Sequence, residues 1–298
     1  MSTAAIRKKD DMWFDILNII ILSLIALAVL YPLYFVVIAS FSSPDKVNTG
    51  EVWLFPKGIT FEGYERIFQD NRIWISYFNT IKYTLVGTFV NVSLTLMGAY
   101  ALSRRDLAGR NVIMLFLLFT MFFSGGLIPT YLLVKKLGML NTMWALILPK
   151  SVALFNLIVT RTFFQSTLPN ELLEAAKMDG CSDFRFFFRM ALPLSKPIIA
   201  VIALYYGVGH WNSYFDALIY LNKENAYPLQ LILRNILIQS QLSAQMLGGN
   251  IDGLAAQQRI AELVKYGVII VASAPLMIAY PLMQKYFVQG VMIGSVKG

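Results

Sequence analysis

The sequence is poor in the residues on which most enzymes and metal-binding proteins depend. Its 298 residues include one cysteine, Cys181, and one histidine, His210. A single cysteine excludes an internal disulfide and a cysteine-rich metal site, and a single histidine excludes the H-E-x-x-H zinc motif. The sequence contains neither G-x-S-x-G nor a glycine directly before a lysine, which excludes the nucleophile elbow and the phosphate-binding P-loop. We therefore predict no catalytic residue and no metal site in this chain, which cannot hydrolyse ATP by itself.

Charged residues are scarce as well. They make up 14% of the chain against about 25% in soluble domains, whereas apolar residues make up 57% against about 45–50%. This composition is typical of a membrane protein. The formal net charge of +8 comes from cations spread among hydrophobic segments, a pattern that reflects membrane topology rather than a nucleic-acid partner. We expect the chain to bind no nucleic acid.

Long apolar runs dominate what the sequence does contain. A helix needs about 20 mostly apolar residues to cross the hydrocarbon core. We predict an all-α membrane protein with a single transmembrane domain over residues 1–298. Its six predicted spans cover about 16–39, 83–102, 112–134, 142–164, 197–221 and 266–287. The first run is too long for a signal peptide and is expected to be retained. The fourth contains Lys150, which we expect to lie toward one end and to snorkel.

Lysines and arginines predict which way the chain crosses the membrane. Cations in short loops gather on the cytoplasmic side. An N-terminus inside places Arg7, Lys8 and Lys9 there, and six spans return the C-terminus to the same side. Lys135 and Lys136, in a short outer loop, argue the other way. The prediction is a multi-pass protein of the cytoplasmic (inner) cell membrane with both termini in the cytoplasm.

A polar segment over residues 168–193 interrupts the apolar pattern between the fourth and fifth predicted spans. Pro169 suits a helix start, and Gly180 suits the position just after a helix end. A second short helix is expected from Ser182 to Pro193. Four of its apolar residues fall on one stripe at helical spacing: Phe184, Phe187, Phe188 and Ala191. The predicted orientation places this helix, turn and helix in the cytoplasm.

The first of these two helices is suited to contact with another protein. Ala175 and Ala176 form a patch without long side chains that a partner can approach closely. Glu174 and Asp179 supply directional charge beside it. An ordinary amphipathic surface helix is the alternative interpretation.

The same segment carries a family resemblance. Glu174-Ala175-Ala176, three residues, Gly180, nine residues and Met190-Ala191-Leu192-Pro193 resembles the E-A-A-x3-G-x9-I-x-L-P signature of membrane subunits of binding-protein-dependent ABC importers, with Met190 replacing the usual isoleucine. Trp211-Asn212 with Asp216, and the tail 286–298, are similar to the MalG-like permease of carbohydrate importers. Residues 126–130 and 227–230 resemble the subgroup that handles oligosaccharides from complex polysaccharides.

The resemblance implies a type I ABC importer permease fold with a cytoplasmic coupling helix. That helix would sit in a groove of an ATPase subunit, which would bind ATP and Mg, so no cofactor is expected in this chain. The implied partners are a homologous second permease, a dimer of cytoplasmic ATPase subunits, an extracytoplasmic sugar-binding protein and the lipid bilayer. The residues implied in ATPase coupling are Glu174, Ala175, Ala176, Lys177, Met178, Asp179, Gly180, Cys181 and Phe184.

The fifth predicted span has the richest polar content. Charged or amide groups in hydrocarbon are costly unless they face a cavity or a partner. Aromatic rings can cover the apolar faces of sugars while amides and carboxylates bind hydroxyls. The candidate substrate-path residues are Tyr206, His210, Trp211, Asn212, Tyr214 and Asp216. An aromatic belt at the membrane interface and helix packing remain alternative interpretations.

The predicted function is a permease subunit of an ATP-driven, binding-protein-dependent importer, forming half of the path for a carbohydrate, an oligosaccharide from a complex polysaccharide. An ion-coupled secondary transporter is the alternative. Such carriers usually show inverted repeats, with paired intramembrane charges or broken helices in both halves. The sequence shows no internal repeat, which favours the importer subunit.

Overall fold

The computed structural model describes residues 9–246, 259, 264–278, 280 and 281. Every regular element among these residues is helical, which confirms the predicted all-α class. Short 3₁₀ turns cover Leu148–Lys150 and Glu224–Ala226, and a π-helical turn covers Phe187–Ala191. In chain order the α-helices are α1 (Lys9–Ser40), α2 (Pro44–Asn48), α3 (Glu62–Gln69), α4 (Asn71–Ser103), α5 (Arg110–Phe122), α6 (Leu127–Lys136), α7 (Trp144–Ile147), α8 (Leu154–Thr167), α9 (Asn170–Met178), α10 (Asp183–Phe186), α11 (Leu192–Leu194), α12 (Lys196–Trp211), α13 (Phe215–Tyr220), α14 (Leu229–Met246) and α15 (Val264–Ile278).

Two of the described helices, α1 and α4, are each long and apolar enough to cross a membrane. Three further candidates are bent pairs: α5 with α6 at 114°, Trp144–Lys150 with α8 at 55°, and Asp183–Leu194 with α12 at 81°. The described residues therefore hold up to five spans by length and composition. The sixth predicted span, 266–287, begins within α15. Apart from residues 280 and 281, its part after Ile278 lies outside the described residues.

The predicted span 112–134 is not one continuous helix. Helix α5 ends at Phe122 and α6 begins at Leu127. Gly126 between them has φ 84° and ψ 177°, a backbone conformation that is essentially confined to glycine. This glycine therefore turns the chain within the predicted span.

Helix α1 is apolar on all sides and exposed along most of its length. Within its most apolar 18-residue window no residue is buried. Leu17 and Leu27, for example, are 58% and 64% exposed. A helix that is hydrophobic all round and not covered by its own chain is typical of a lipid-facing span.

The chain divides into two compact units, Met1–Gln69 with Ile236–Ser273, and Asp70–Asn235 with Ala274–Gly298. In the first unit Phe35 packs edge to face on Tyr266, with ring centres 6.2 Å apart. In the second unit α4 packs along both α8 and α12. The buried core there includes Ala99, Phe164 and Ile202, none more than 1% exposed. The single domain over 1–298 stays a prediction.

Candidate functional site

A cavity of about 550 Å³ lies among α4, the break before α8, and the junction of α12 with α13. This volume falls within the range of about 300–1,000 Å³ found for ligand pockets. Five of the six predicted path residues line it: Tyr206, His210, Asn212, Tyr214 and Asp216. The other lining residues are Asn91, Leu146, Lys150, Ala153, Phe155, Asn156, Tyr205, Gly209, Ser213 and Phe215.

Trp211 is the predicted path residue that does not line this cavity. Its side chain is 5% exposed, and its ring packs edge to face on Tyr77 with centres 5.8 Å apart. Successive residues on a helix point about 100° apart, so Trp211 turns away from the face that His210 presents. Trp211 therefore holds a packing position beside this cavity, and its place in a substrate path stays a prediction.

Tyr206 ties three elements together at the edge of the cavity. Its hydroxyl lies 2.7 Å from Oγ1 of Thr95 on α4 and accepts a hydrogen bond from the Ala153 N–H at 2.9 Å. The side chain is 6% exposed. The hydroxyl of Tyr206 has two hydrogen-bond partners within the chain and so holds α12 to α4 and to Ala153. The ring of Tyr206 lines the cavity.

His210 fits against α4 only because position 87 has no side chain. Nε2 of His210 lies 3.0 Å from Nδ2 of Asn91, one helical turn after Gly87. A Cβ atom built on Gly87 would lie 2.5 Å from the same Nε2. Sequence reasoning named His210 but missed Gly87 and Asn91. Their spacing of four residues, which places both on one face of a helix, was the available signal.

Lys150 is a second lining residue that the predicted path omitted. Its Nζ lies 2.8 and 2.7 Å from the two carboxylate oxygens of Asp216. The Lys150 side chain is 68% exposed and that of Asp216 is 16% exposed. Snorkelling was expected for this lysine. The structure gives it a carboxylate partner at the cavity, at the end of the 3₁₀ turn before α8, and its snorkelling stays a prediction.

Asn212 and Tyr214 have local partners beside the same cavity. Nδ2 of Asn212 donates at 3.0 Å to the Val208 carbonyl near the end of α12, which also accepts the Asn212 backbone N–H at 3.1 Å. The guanidinium of Arg234 lies 5.5 Å from the ring centre of Tyr214. Tyr214 thus adds an aromatic face to the lining and carries a cation on its ring.

The predicted coupling segment forms the expected helix and turn. Helix α9 covers Asn170–Met178, and Gly180 follows it with φ 71°. The Gly180 N–H donates to the Lys177 carbonyl at 3.0 Å and the Cys181 N–H to the Ala176 carbonyl at 2.9 Å. This pair of bonds is a Schellman motif, which needs a left-handed residue at the glycine position. No atom lies within 4 Å of a Cβ built on Gly180, so its backbone conformation, rather than space, requires glycine.

The two alanines of the coupling motif lie in different environments. Ala175 is exposed, as are most of the predicted coupling residues: Glu174, Lys177, Met178, Asp179, Gly180 and Phe184. Ala176 is 4% exposed and belongs to the chain's own core, against which the half-buried Cys181 also packs. A partner cannot approach a residue that is already covered. The prediction that both alanines form a docking patch is therefore wrong for Ala176.

The predicted stripe of four apolar residues after Ser182 is also wrong. Phe187 and Ala191 are buried, but Phe184 and Phe188 are 76% and 55% exposed and stack on each other. Phe186, which was off the predicted stripe, is 2% exposed. The π-helical turn over Phe187–Ala191 widens the helical repeat, so Phe186, five residues before Ala191, shares the buried side with Phe187 and Ala191.

Arg104, directly after α4, joins both short helices of the coupling segment. It donates to Asp106 at 2.9 and 2.6 Å, to Asp183 of α10 at 2.9 Å, and to the Tyr100 hydroxyl at 3.1 Å. Lys177 of α9 lies 3.6 Å from the same Asp106 carboxylate. The Arg104 side chain is 12% exposed. Sequence patterns gave Arg104 no role in this segment, because Asp183, the partner that joins it to α10, lies 79 residues away in the sequence.

The ion pair of Arg104 with Asp106 persists around neutral pH. The Arg104 guanidinium beside Asp106 holds the pKa of that carboxyl well below its usual range. A lowered carboxyl pKa adds stability above the ordinary pKa of aspartate, and that stability is lost only as the pH falls through the lowered value. The Arg104–Asp106 pair therefore stays ionised under physiological conditions.

Comparison with known proteins agrees with this picture. Residues 2–293 match the family model described as binding-protein-dependent transport system inner membrane component. Protein LplC of Bacillus subtilis is 42% identical over 285 residues, covering 96% of this chain and 95% of the relative. The polygalacturonan/rhamnogalacturonan transport system permease protein YtcP of the same organism is 42% identical over 285 residues, with 96% and 98% covered.

A solved structure is similar as well. The crystal structure of a bacterial ABC transporter involved in the import of the acidic polysaccharide alginate matches with a TM-score of 0.83 and 34% identity, covering 94% of this chain and 98% of that one. The resemblance that rested on the E-A-A segment is thus confirmed over nearly the whole chain. Because the family model spans all but a few residues, this chain belongs to the family of binding-protein-dependent transport system inner membrane components.

Proposed function

We propose that this chain is the permease subunit of an ATP-driven importer and forms half of the translocation path for a carbohydrate. The observation that carries the proposal is the cavity of about 550 Å³, which combines aromatic rings, amides and one ion pair. Relatives named for polysaccharides support an oligosaccharide from a complex polysaccharide as the substrate. ATP and Mg would be bound by the partner ATPase and not by this chain.

The proposed membrane arrangement keeps six spans in a single domain over 1–298, with both termini in the cytoplasm. Each bent helix pair then counts as one span, and the stretch 266–287 supplies the sixth. Breaks within spans are tolerated where they line a cavity, because water or protein there can satisfy the freed backbone groups. The break between Lys150 and Leu154 meets this condition, since Lys150 and Ala153 both line the cavity.

The proposed assembly contains a homologous second permease, a dimer of cytoplasmic ATPase subunits and an extracytoplasmic sugar-binding protein. In it, the exposed side of α9 and the turn at Gly180 seat in the ATPase. Glu174 and Asp179 bond polar groups of that seat, and Met178, which is 89% exposed, supplies apolar contact. Ala176, on the buried side of α9, packs this helix against the chain's own core.

Helix α4 is the proposed link between the ATPase and the cavity. Its cytoplasmic end is held to the coupling segment through Arg104, and its middle carries Asn91 and Thr95 beside His210 and Tyr206. The distance along the helix from Asn91 to Arg104 is about 20 Å. Packed helices have discrete arrangements rather than continuous bending, so a pull at one end would shift the cavity residues together.

Proteoliposomes that contain the complete assembly test this function. Carbohydrate uptake is expected to require ATP and to stop when ATP is removed while an ion gradient is kept. Uptake that survives without ATP would support an ion-coupled carrier instead.

The Glu174→Lys substitution tests the ATPase seat. It reverses an exposed charge in the middle of α9, so we expect weaker binding of the ATPase subunits and loss of uptake, with normal membrane insertion. Co-purification of the ATPase with the permease and ATP-driven uptake measure the two effects. Glu171→Lys, which changes another exposed acid one turn earlier, is the matched control and should keep ATPase binding. Wild-type co-purification and uptake with Glu174→Lys would contradict the coupling role.

A further inference from the structure

The ion pair of Lys150 and Asp216 distinguishes this cavity from one built only for neutral sugars. Among the described residues that line the cavity, these two supply the only Lys, Arg, Asp or Glu side chains. Their exposure is unequal, since the Lys150 side chain is 68% exposed and that of Asp216 is 16% exposed. The ammonium therefore faces open space, and the carboxylate lies behind it.

The ammonium of Lys150 has donor capacity to spare. A lysine carries three N–H donors. The two oxygens of Asp216 lie 2.8 and 2.7 Å from Nζ and can accept at most two of them. At least one donor is left for a group that enters the cavity.

We propose that Lys150 is a subsite for sugar carboxylates and that the translocated carbohydrate is an acidic oligosaccharide containing uronate residues. The inference rests on the proposed function, because it specifies what enters the path of a carbohydrate permease. Hydroxyl groups alone would not require it, since uncharged groups such as Asn156 and Ser213 already line the cavity. A charge within a membrane span is costly and is generally retained where it has a function.

Asp216 adjusts how firmly Lys150 holds an anion. A transport path must bind its cargo well enough to admit it and weakly enough to release it. A lone ammonium beside a low-dielectric wall would hold a carboxylate tightly. Pairing with Asp216 lowers that attraction, because the carboxylate neutralises part of the ammonium charge.

The experiment measures ATP-driven uptake by the complete assembly in proteoliposomes. The probes are trigalacturonate and trimannuronate, each compared with its fully methyl-esterified form, which removes the charge and retains the ring. Wild type should take up at least one acid faster than its ester. Lys150→Met should lower uptake of that acid about tenfold or more, as expected for loss of one charge-assisted hydrogen bond. Lys150→Arg should retain most of it.

A charge exchange separates binding from structure. The Lys150→Asp/Asp216→Lys double variant keeps an ion pair but reverses the charge that faces the cavity. If the pair only stabilises the fold, this variant restores acid uptake, which would overturn the inference. If Lys150 binds the substrate, the double variant should be obtained in normal protein yield but should not take up the acid.

Two further outcomes distinguish this inference from the proposed function. ATP-driven uptake of neutral oligosaccharides or of the esters, with neither acid transported, would overturn the acidic subsite and leave the importer function standing. Absence of ATP-driven uptake for every carbohydrate tested would overturn the proposed function itself.

Discussion

The Arg104→Met substitution is expected to separate ATP hydrolysis from transport. It removes the ion pairs of Arg104 with Asp183 and with Asp106. Asp106, which also pairs with Lys177, is then no longer held in place. Helices α9 and α10 therefore both lose their connection to α4. The two carboxylates are 64% and 56% exposed, so water can solvate them and the fold should survive. We expect ATP-driven uptake to fall about 5- to 150-fold, the usual range of a coupling free energy. The assembly should continue to hydrolyse ATP.

The measurement compares uptake with ATP hydrolysis in the same proteoliposomes. Arg105→Met is the matched control, since it makes the same chemical change and the same change in net charge one residue away, at an exposed position. This control should leave the ratio of transport to hydrolysis near the wild-type value. An unchanged ratio with Arg104→Met would show that the cluster has no part in transmission.

The Gly87→Ala substitution is expected to damage the cavity through a single added methyl group. Its Cβ would lie 2.5 Å from Nε2 of His210, so the imidazole must move away from its position 3.0 Å from Nδ2 of Asn91. Overpacking of this kind costs about 1–3 kcal/mol. We therefore expect a lower melting temperature of the purified protein and reduced uptake, although alanine normally favours a helix over glycine.

Two variants define the cause of that loss. Gly207→Ala, on α12, places its Cβ 3.6 Å from Oγ1 of Thr88, an ordinary contact, and should be neutral or slightly stabilising. The double variant Gly87→Ala/His210→Ala removes the ring that the methyl group strikes and should recover much of the stability lost by Gly87→Ala. Additive losses in the double variant would contradict the steric explanation.

Local sequence patterns predicted the coupling segment well where the interactions are local. The helix start after Pro169, the left-handed Gly180 and the second helix after Ser182 all depend on residues within one or two turns. Backbone conformation at a helix end follows from the side chains present there, so a short motif is enough to predict it. The role of this segment in binding an ATPase stays a prediction.

The sequence predicted less well wherever distant parts of the chain meet. The burial of Ala176 depends on the core that α9 covers, and the shared burial of Phe186 and Ala191 depends on a π-helical turn that periodicity cannot reveal. The pairing of Lys150 with Asp216 joins residues from two predicted spans. To predict any of these features, one must know which helices pack against each other.

By its composition, its apolar runs and one short motif, the sequence determined that this chain is helical, suited to a membrane and related to binding-protein-dependent importers. Only the tertiary structure decided that Gly87 makes room for His210, that Trp211 packs against Tyr77 and that Lys150 lines a cavity. The physical reason is the separation along the chain of the residues that interact. Hydrophobicity and helix ends are set by neighbours along the chain, whereas a cavity and its charges arise from helices that approach each other across the fold.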